Sequence, residues 1–447
     1  MIRFLLALVF AGGLSSALRA GMLELDVTKP TDRHVKVSPS KPSPLVLLEV
    51  VETKTGKVVK TLYAGIMTPG QSYPVERGRK LSPGSYKIRY REGINFALDG
   101  SLSISKGQKW CNPADVLATD KAVFVWDCGR QPPKPPKNGT TPPPPSPVQE
   151  DPAEGRAFIY KFLYDGKPDV SFGDHGRVGP FLGPKDGTPQ MTRYYDIRSI
   201  AADTEGHVYI GSTYHDVLVV DPNGERSSQT IGGYDGDPHG PKCTAWVNAL
   251  AVGWKNRLYI PNGYGNIKVY DTTKSKFDGI LYAAKLPGYI GDGRSIAADM
   301  AGAVYVINRA GRIQRFLDKG TTLEAEYGSA PDVKMVEPMG ICASGGLVWA
   351  ASHGGPPLWD SDGGEILMFW DNDSEFQCVE HYGMAGKSAD KLEFLNPSAV
   401  AMSPDHVNVW VTEDGAINDE GPPGNARVRK FKITAARTEE IPLEVGN

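Results

Sequence analysis

One short pattern returns along most of this 447-residue chain and leaves few folds open to it. Ile200-Ala-Ala-Asp203 leads through a polar turn to Val208-Tyr209-Ile210, and Ile296-Ala-Ala-Asp299 leads to Val304-Tyr305-Val306. Leu250 to Ile260 and Val400 to Trp410 keep the same spacing, while Ile341 to Ala350 is one residue shorter at a Gly345-Gly346 turn. A third apolar stretch follows each pair: Val217 to Val220, Ile267 to Tyr270, Ile313 to Phe316, Ile366 to Phe369 and Val428 to Phe431. A weaker fourth comes after it, as in Leu281 to Ala284 and Glu324 to Tyr327. These stretches have the length and the β-branched and aromatic content of strands, and the 3.6-residue period of helix pairs is missing. Four short antiparallel strands per unit, repeated every ~45 to 60 residues, predict an all-β propeller.

A sixth copy is split. Asn112-Pro113-Ala114-Asp115-Val116 leading to Val123-Phe124-Val125-Trp126 aligns without a gap on Asn396-Pro397-Ser398-Ala399-Val400 leading to Val407-Asn408-Val409-Trp410. Its third strand is expected only at Phe158 to Phe162. The intervening segment, 129–154, includes Pro142 to Pro145; such a stretch cannot donate to a ladder and favours extended polyproline II. It reads as an insertion inside the first blade of a propeller spanning 111–444. The alternative is a plain linker, with the propeller starting near residue 155. Cys111 and Cys128 lie symmetrically about the Thr119-Asp120 turn, where a cross-strand disulfide would close the root of the insertion.

Residues 1–20 carry Arg3, an apolar run from Phe4 to Ala11, and small residues with competing cleavage sites after Ala17 and Ala20. That is the pattern of a secretory signal peptide, so a secreted or periplasmic protein is expected. Residues 22–108 do not follow the repeat. Leu45 to Val51, a Lys54-Thr55-Gly56-Lys57 turn, Val58 to Leu62 and Ser85 to Tyr90 predict a small β-sandwich. Their order resembles the Ig-like modules related to the flagellar hook-cap protein, which implies a spacer or an adhesive unit.

The 49 Lys and Arg are interspersed with 52 Asp and Glu for a net charge of −3. Nucleic acid is therefore a poor partner, membrane insertion is not expected, and a monomer is the default. Cys111, Cys128, Cys243, Cys342 and Cys378 form no CxxC or Cys/His zinc pattern. Cys342, inside a first-strand pattern, reads as a buried thiol. His207 and His406 fall at turns and are expected to be exposed. Asp203 and Asp299 read as turn-forming carboxylates, and Trp126, Trp349 and Trp410 as blade packing. Serine-hydrolase, zincin, nucleotide and dinucleotide motifs do not occur.

Tyr382-Gly383-Met384-Ala385-Gly386, then Phe394-Leu395-Asn396-Pro397-Ser398-Ala399-Val400-Ala401, with Gly206 to Ile210 and Asn425 to Phe431, resemble NHL-repeat proteins over about two thirds of the chain. The resemblance implies a six-bladed NHL-like β-propeller preceded by the small Ig-like β-sandwich. It also implies a site on the face where the connections before the first strands and after the second strands converge. Pre-strand candidates are Arg198, Asn248, Arg294 and Asn396; second-to-third-strand candidates are His215, Tyr264, Arg309, His353, Trp359, Asp360, Asp362, Glu413, Asp414 and Asp419.

Three readings follow. In the first, the face binds a protein or glycan through Arg198, Asn248, Tyr264, Arg294, Arg309 and Trp359. In the second, it holds a divalent metal, with Asp360 and Asp362 suited to Ca2+ and His215 and His353 to Zn2+. The chain would then stand near the peptidylhydroxyglycine lyases or the gluconolactonase-like hydrolases, with His353 or Asp414 as general base. Of the three imidazoles that hold zinc in such lyases, His215 and His353 have counterparts here. In the third, the domain is a structural envelope or matrix component.

Overall fold

The structure, a computed structural model, describes residues 23–29, 32–37, 39, 45–68, 70–76, 81–104, 109–128, 157–181, 199–211, 216–232, 247, 249–262, 266–273, 282–285, 293–308, 310–329, 335, 338–352, 364–385, 392–413 and 426–445. Among them strands dominate, and no helix is long and apolar enough to cross a membrane.

At the N-terminal end β1 (Leu23–Lys29), β2 (Asp32–Val37) and β5 (Gln71–Pro74) form a three-stranded sheet, in the order β1-β2-β5. Strands β3 (Leu45–Glu52) and β4 (Val58–Ile66) form a hairpin beside the long β6 (Gly84–Leu102).

The repeat builds five four-stranded antiparallel sheets among the described residues. The first holds β7 (Pro113–Ala118), β8 (Val123–Asp127), β9 (Ala157–Phe162) and β10 (Arg177–Phe181), with the proline-rich stretch between β8 and β9. The second holds β11 (Ile200–Ala202), β12 (Val208–Gly211), β13 (Asp216–Val220) and β14 (Arg226–Gly232). The third holds β15 (Ala251–Gly253), β16 (Arg257–Asn262), β17 (Asn266–Asp271) and β18 (Tyr282–Lys285). The fourth holds β19 (Gly293–Ala298), β20 (Ala303–Asn308), β21 (Ile313–Asp318) and β22 (Leu323–Gly328). The fifth holds β23 (Pro338–Ser344), β24 (Leu347–Ser352), β25 (Glu365–Asp371) and β26 (Phe376–Tyr382). A short parallel pair, β27 (Met384–Ala385) with β28 (Glu393–Phe394), leads into β29 (Pro397–Met402), β30 (Asn408–Glu413) and the long β31 (Arg427–Val445).

Local chemistry explains the hairpins. Asp203 Oδ1 accepts the N–H groups of Glu205, Gly206 and His207, and Asp299 Oδ1 those of Ala301 and Ala303. These carboxylates form the tight turns that reverse the chain between first and second strands. The first strands then stand side by side, β7 against β11, β11 against β15, and so on to β23 against β29 and β29 against β7. That closed succession makes the fold a β-propeller. Small residues line the seams: a β-carbon on Gly340 would come within 2.6 Å of Ala399 Cα, so β23 and β29 approach only because none is present. Between sheets the second-strand aromatics are fully covered, Trp126, Trp349 and Trp410 among them, each burying a large apolar area.

The last sheet is built differently. Its order is β29-β30-β31-β6-β3-β4, and β31 pairs β6 from Val428↔Leu102 to Val445↔Gly84. The first part of β31 thus takes its outer neighbour from residues 94–102, and the rest runs on beside 84–92, where β3 and β4 attach. Residues on the two sides of the boundary expected near residue 108 thus share one sheet, through two 19-residue strands.

The β3–β4 hairpin lies against turns of three sheets. Lys57 Nζ meets Asp120 Oδ2 at 3.1 Å, Val58 N–H donates to Pro404 O at 2.8 Å, and Thr61 N–H donates to Gly345 O at 2.5 Å. This docking corrects the expectation for His406. Its side chain is fully buried, with Nδ1 2.9 Å from Glu49 Oε1. Arg89 and Arg91 bond the same carboxylate, and their remaining donors reach the carbonyls of Asp405 and His406. A turn that is polar in sequence is buried because the hairpin covers it. His207 is half-buried, 3.0 Å from Asp203 Oδ2.

Candidate functional site

Strand direction decides which face carries the connections. In every sheet the first strand begins, and the second ends, on the face opposite the β3–β4 hairpin. The segments 182–198, 233–246, 353–363 and 414–425 all depart from strand ends on that face and lie outside the described residues. The first-to-second-strand turns on the other face are short, and the β3–β4 hairpin covers three of them.

Two buried carboxylates at equivalent positions organise the rim. Asp127, opposite Pro113, accepts Cys111 N–H at 2.9 Å and Asn112 N–H at 2.7 Å. Glu413, opposite Pro397, accepts Leu395 N–H at 2.8 Å. Each ties the end of a second strand to the chain entering the first, satisfying donors that burial would otherwise strand. Glu413 also holds Arg427 at 2.8 Å and Arg429 at 2.6 Å, and the Arg429 guanidinium lies 4.4 Å from the Phe394 ring centroid. Burial lowers the Arg429 pKa against the pull of Glu413, an opposition typical of a desolvated pair. The charges of this part of the rim are thus spent internally. They stiffen the edge from which the connections project.

The seams between inner strands carry further polar groups. Ser398 Oγ–H donates to Pro113 O at 2.9 Å across the β29–β7 seam. Ile200 N–H donates to Asp115 Oδ2 at 2.6 Å across the β7–β11 seam, and Leu250 N–H donates to Ser199 Oγ at 3.0 Å across the next. Asp115 and Ser199 occupy the same repeat position, one residue before Val116 and Ile200. Burial pushes Asp115 up to about 7, against the lowering effect of the N–H groups of Ile200 and Val116. It is a carboxyl whose charge changes near neutral pH on the wall of the ring. Cys342, on β23, has its thiol pushed up to about 12 by burial, as suits an inert thiol.

Of the residues singled out from the sequence, Arg198, His215, Asn248, Tyr264, Arg309, His353, Trp359, Asp360, Asp362, Asp414 and Asp419 lie outside the described residues. Arg294 is on β19, beside the irregular step between the Gly293↔Asn308 and Ser295↔Ile307 pairs. Asn396 adopts a left-handed conformation, φ 52°, just before β29. Cys111 and Cys128 stand at the open end of the β7–β8 hairpin, where Cys128 N–H donates to Asn112 O at 3.0 Å. Sequence reasoning missed Asp115 and Asp127. The gapless alignment of 112–126 on 396–410 sets Asp127 on Val411, so its equivalence to Glu413 was hidden by two extra residues in the β29–β30 turn. Asp115 carried no signal, because its role lies in a contact to the neighbouring sheet.

No protein-family model matches this chain, and no curated protein sequence matches it. Among solved structures it is similar to U3-55K, with a TM-score of 0.45 at 10% identity over 75% of this chain and 98% of that one. It is similar to the RRP9 WD40 repeats, with a TM-score of 0.45 at 10% identity over 76% of this chain and 99% of that one. For the β-propeller domain of Myceliophteria thermophila Cps50 (Swd1) the TM-score is 0.43 at 10% identity, covering 92% of this chain and 100% of that one. Likeness at this level assigns no function.

Proposed function

We propose that this chain is an exported, six-bladed, NHL-like β-propeller that binds a protein or glycan ligand through its connection-rich face, with the N-terminal β module as its support. One observation carries the reading. The β3–β4 hairpin occupies turns on one face, through Asp120, Gly345 and Pro404, and the long connections leave from the other. A rigid ring with one open face and a stiffened rim is a scaffold for loop-borne recognition. Arg198, Asn248, Tyr264, Arg294, Arg309 and Trp359 are the contact residues on this reading.

The test replaces 353–363 and 414–425 with short Gly/Ser connectors and presents both proteins to a glycan array and to a panel of extracellular proteins. The variant is expected to keep its stability within about 0.5 kcal/mol, as surface changes usually do, and to lose the ligands that the parent retains. Retention of the full binding profile by the variant would remove the assignment to this face.

The export reading and the Cys111–Cys128 link are proposed together, since a disulfide persists in an oxidising compartment. Peptide mapping of mature protein is expected to give an N-terminus after Ala17 or Ala20 and a peptide joining Cys111 to Cys128. A map joining Cys111 to any other cysteine would refute the link.

A further inference from the structure

A second cluster of reactive groups lies at the outer edge of the fifth sheet, at the end where β25 begins and β26 finishes. Cys378 Sγ is 3.2 Å from His381 Nε2, and His381 Nδ1 is 3.2 Å from Glu365 Oε2. In a regular strand, residues three apart point to opposite faces. Here β26 shifts register between the Met368↔Glu380 and Phe369↔Cys378 pairs, leaving Val379 as the extra residue of a bulge. The bulge turns Cys378 onto the face of His381. Glu365 joins them from the neighbouring strand, two residues along from Leu367, the partner of His381. Leu367 and Phe369 on that face belong to the apolar core against the fourth sheet, with Cys378 packed at its margin. The thiol is half-buried, and the His381 side chain is 57% exposed.

The hydrogen bonds order the three groups. A carboxylate only accepts, so Nδ1 carries the imidazole proton toward Glu365 and Nε2 presents its lone pair to the thiol. That is a nucleophile, a base and an orienting acid in sequence. We propose that Cys378, His381 and Glu365 form a thiol site that captures a small disulfide, preferentially a cationic one, by exchange. The Cys378 S–H proton passes to His381 Nε2 as the sulfur attacks one sulfur of the disulfide R–S–S–R. The old S–S bond breaks, and the departing RS⁻ takes the proton from His381. The products are Cys378–S–S–R and RSH, with no net oxidation.

Burial, with Glu365 and Glu380 adding to it, pushes the Cys378 thiol up to about 11, so on its own it is as inert at neutral pH as Cys342. Such a sulfur is a strong nucleophile once deprotonated and a poor leaving group afterwards, so the mixed disulfide persists once made. Deprotonation needs a base, which is the part His381 supplies. The same two carboxylates repel anionic reagents and attract cationic ones.

Native protein is treated with cystamine, and the adduct is located by peptide mapping. Cys378 is expected to be modified ahead of Cys342, and a Cys378→Ser variant to take up no adduct on that timescale. His381→Ala is expected to slow the reaction on the order of 10²-fold, the lower range for loss of a general base. A pH profile separates catalysis from mere packing. The parent rate should reach a plateau below the range of the thiol's own ionisation, whereas the His381→Ala rate should climb steadily toward it. Glu365→Gln should slow the parent rate and keep its plateau. Equal neutral-pH rates in the parent and His381→Ala, or first modification at another cysteine, would overturn the proposal.

Discussion

A chain that begins at residue 109 is expected to aggregate rather than to yield a closed propeller. Such a chain keeps every strand of the first five sheets, yet β31 loses the partner it pairs with from Ile94 to Leu102. It also loses Phe96, whose ring centroid lies 4.5 Å from that of Phe431, 4.6 Å from Tyr382 and 5.4 Å from Trp349. Truncating one buried aromatic typically costs about 3–5 kcal/mol, against a total stability of about 5–15 kcal/mol for a folded domain. The truncated chain would further present a long unpaired strand, an edge that invites association. Size-exclusion chromatography and urea unfolding of chains 23–447 and 109–447 provide the comparison. A monomeric 109–447 chain unfolding at the same urea midpoint would show that β6 contributes nothing to closure.

The second large effect is expected at Glu49. Glu49→Gln leaves Arg89 and Arg91 buried with no compensating charge, and removal of one partner from a buried ionic cluster usually costs about 3–5 kcal/mol. Burial alone would raise the Glu49 pKa, but Arg91, Arg89 and His406 outweigh it and hold the carboxyl far below its usual range. A folded pKa below the unfolded one means that stability is fully present above the unfolded value near 4.5 and is lost as pH falls below it. For His406, burial drives the pKa below 6.5 despite the opposing pull of Glu49. The unfolded imidazole therefore takes up its proton first, and stability falls as pH drops below 6.5. Both groups act in the same direction, so acid loosens the junction between the β module and the propeller. Urea midpoints measured between pH 7.5 and pH 4 should decline in the parent. Glu49→Gln, already weak at neutral pH, should show a shallower decline below 5. Parallel pH profiles for the two proteins would show that Glu49 is not the group being titrated.

Much of the ring was legible in the sequence because its signals are local. Asp203 and Asp299 close their turns with backbone groups only a few residues away, and the unbroken apolar stretches around Tyr209, Tyr259 and Tyr305 mark strands buried on both faces. The gapless alignment of residues 112–126 on 396–410 holds for the first strands and fails in the second, because the turn between β29 and β30 is two residues longer than that between β7 and β8, which makes Asp127 the counterpart of Glu413. The candidate site was legible only as a face. Its listing of residues such as His353 and Trp359 rests on resemblance, and the polar groups that organise the described rim act through contacts between sheets.

By itself, then, the sequence determined an all-β chain of repeated four-strand units with tight carboxylate turns, since short apolar runs and turn bonds involve near neighbours. Tertiary structure alone decided how the last sheet is completed, by bringing residues 94–102 beside 427–435. It decided that His406 is buried, by setting it against a glutamate 357 positions away. It also decided that Cys378 and His381 share a face, through one bulge whose register depends on the partner strand. The physical reason is the same in each case. A local pattern states that a strand will be buried, but not which distant strand or carboxylate will cover it.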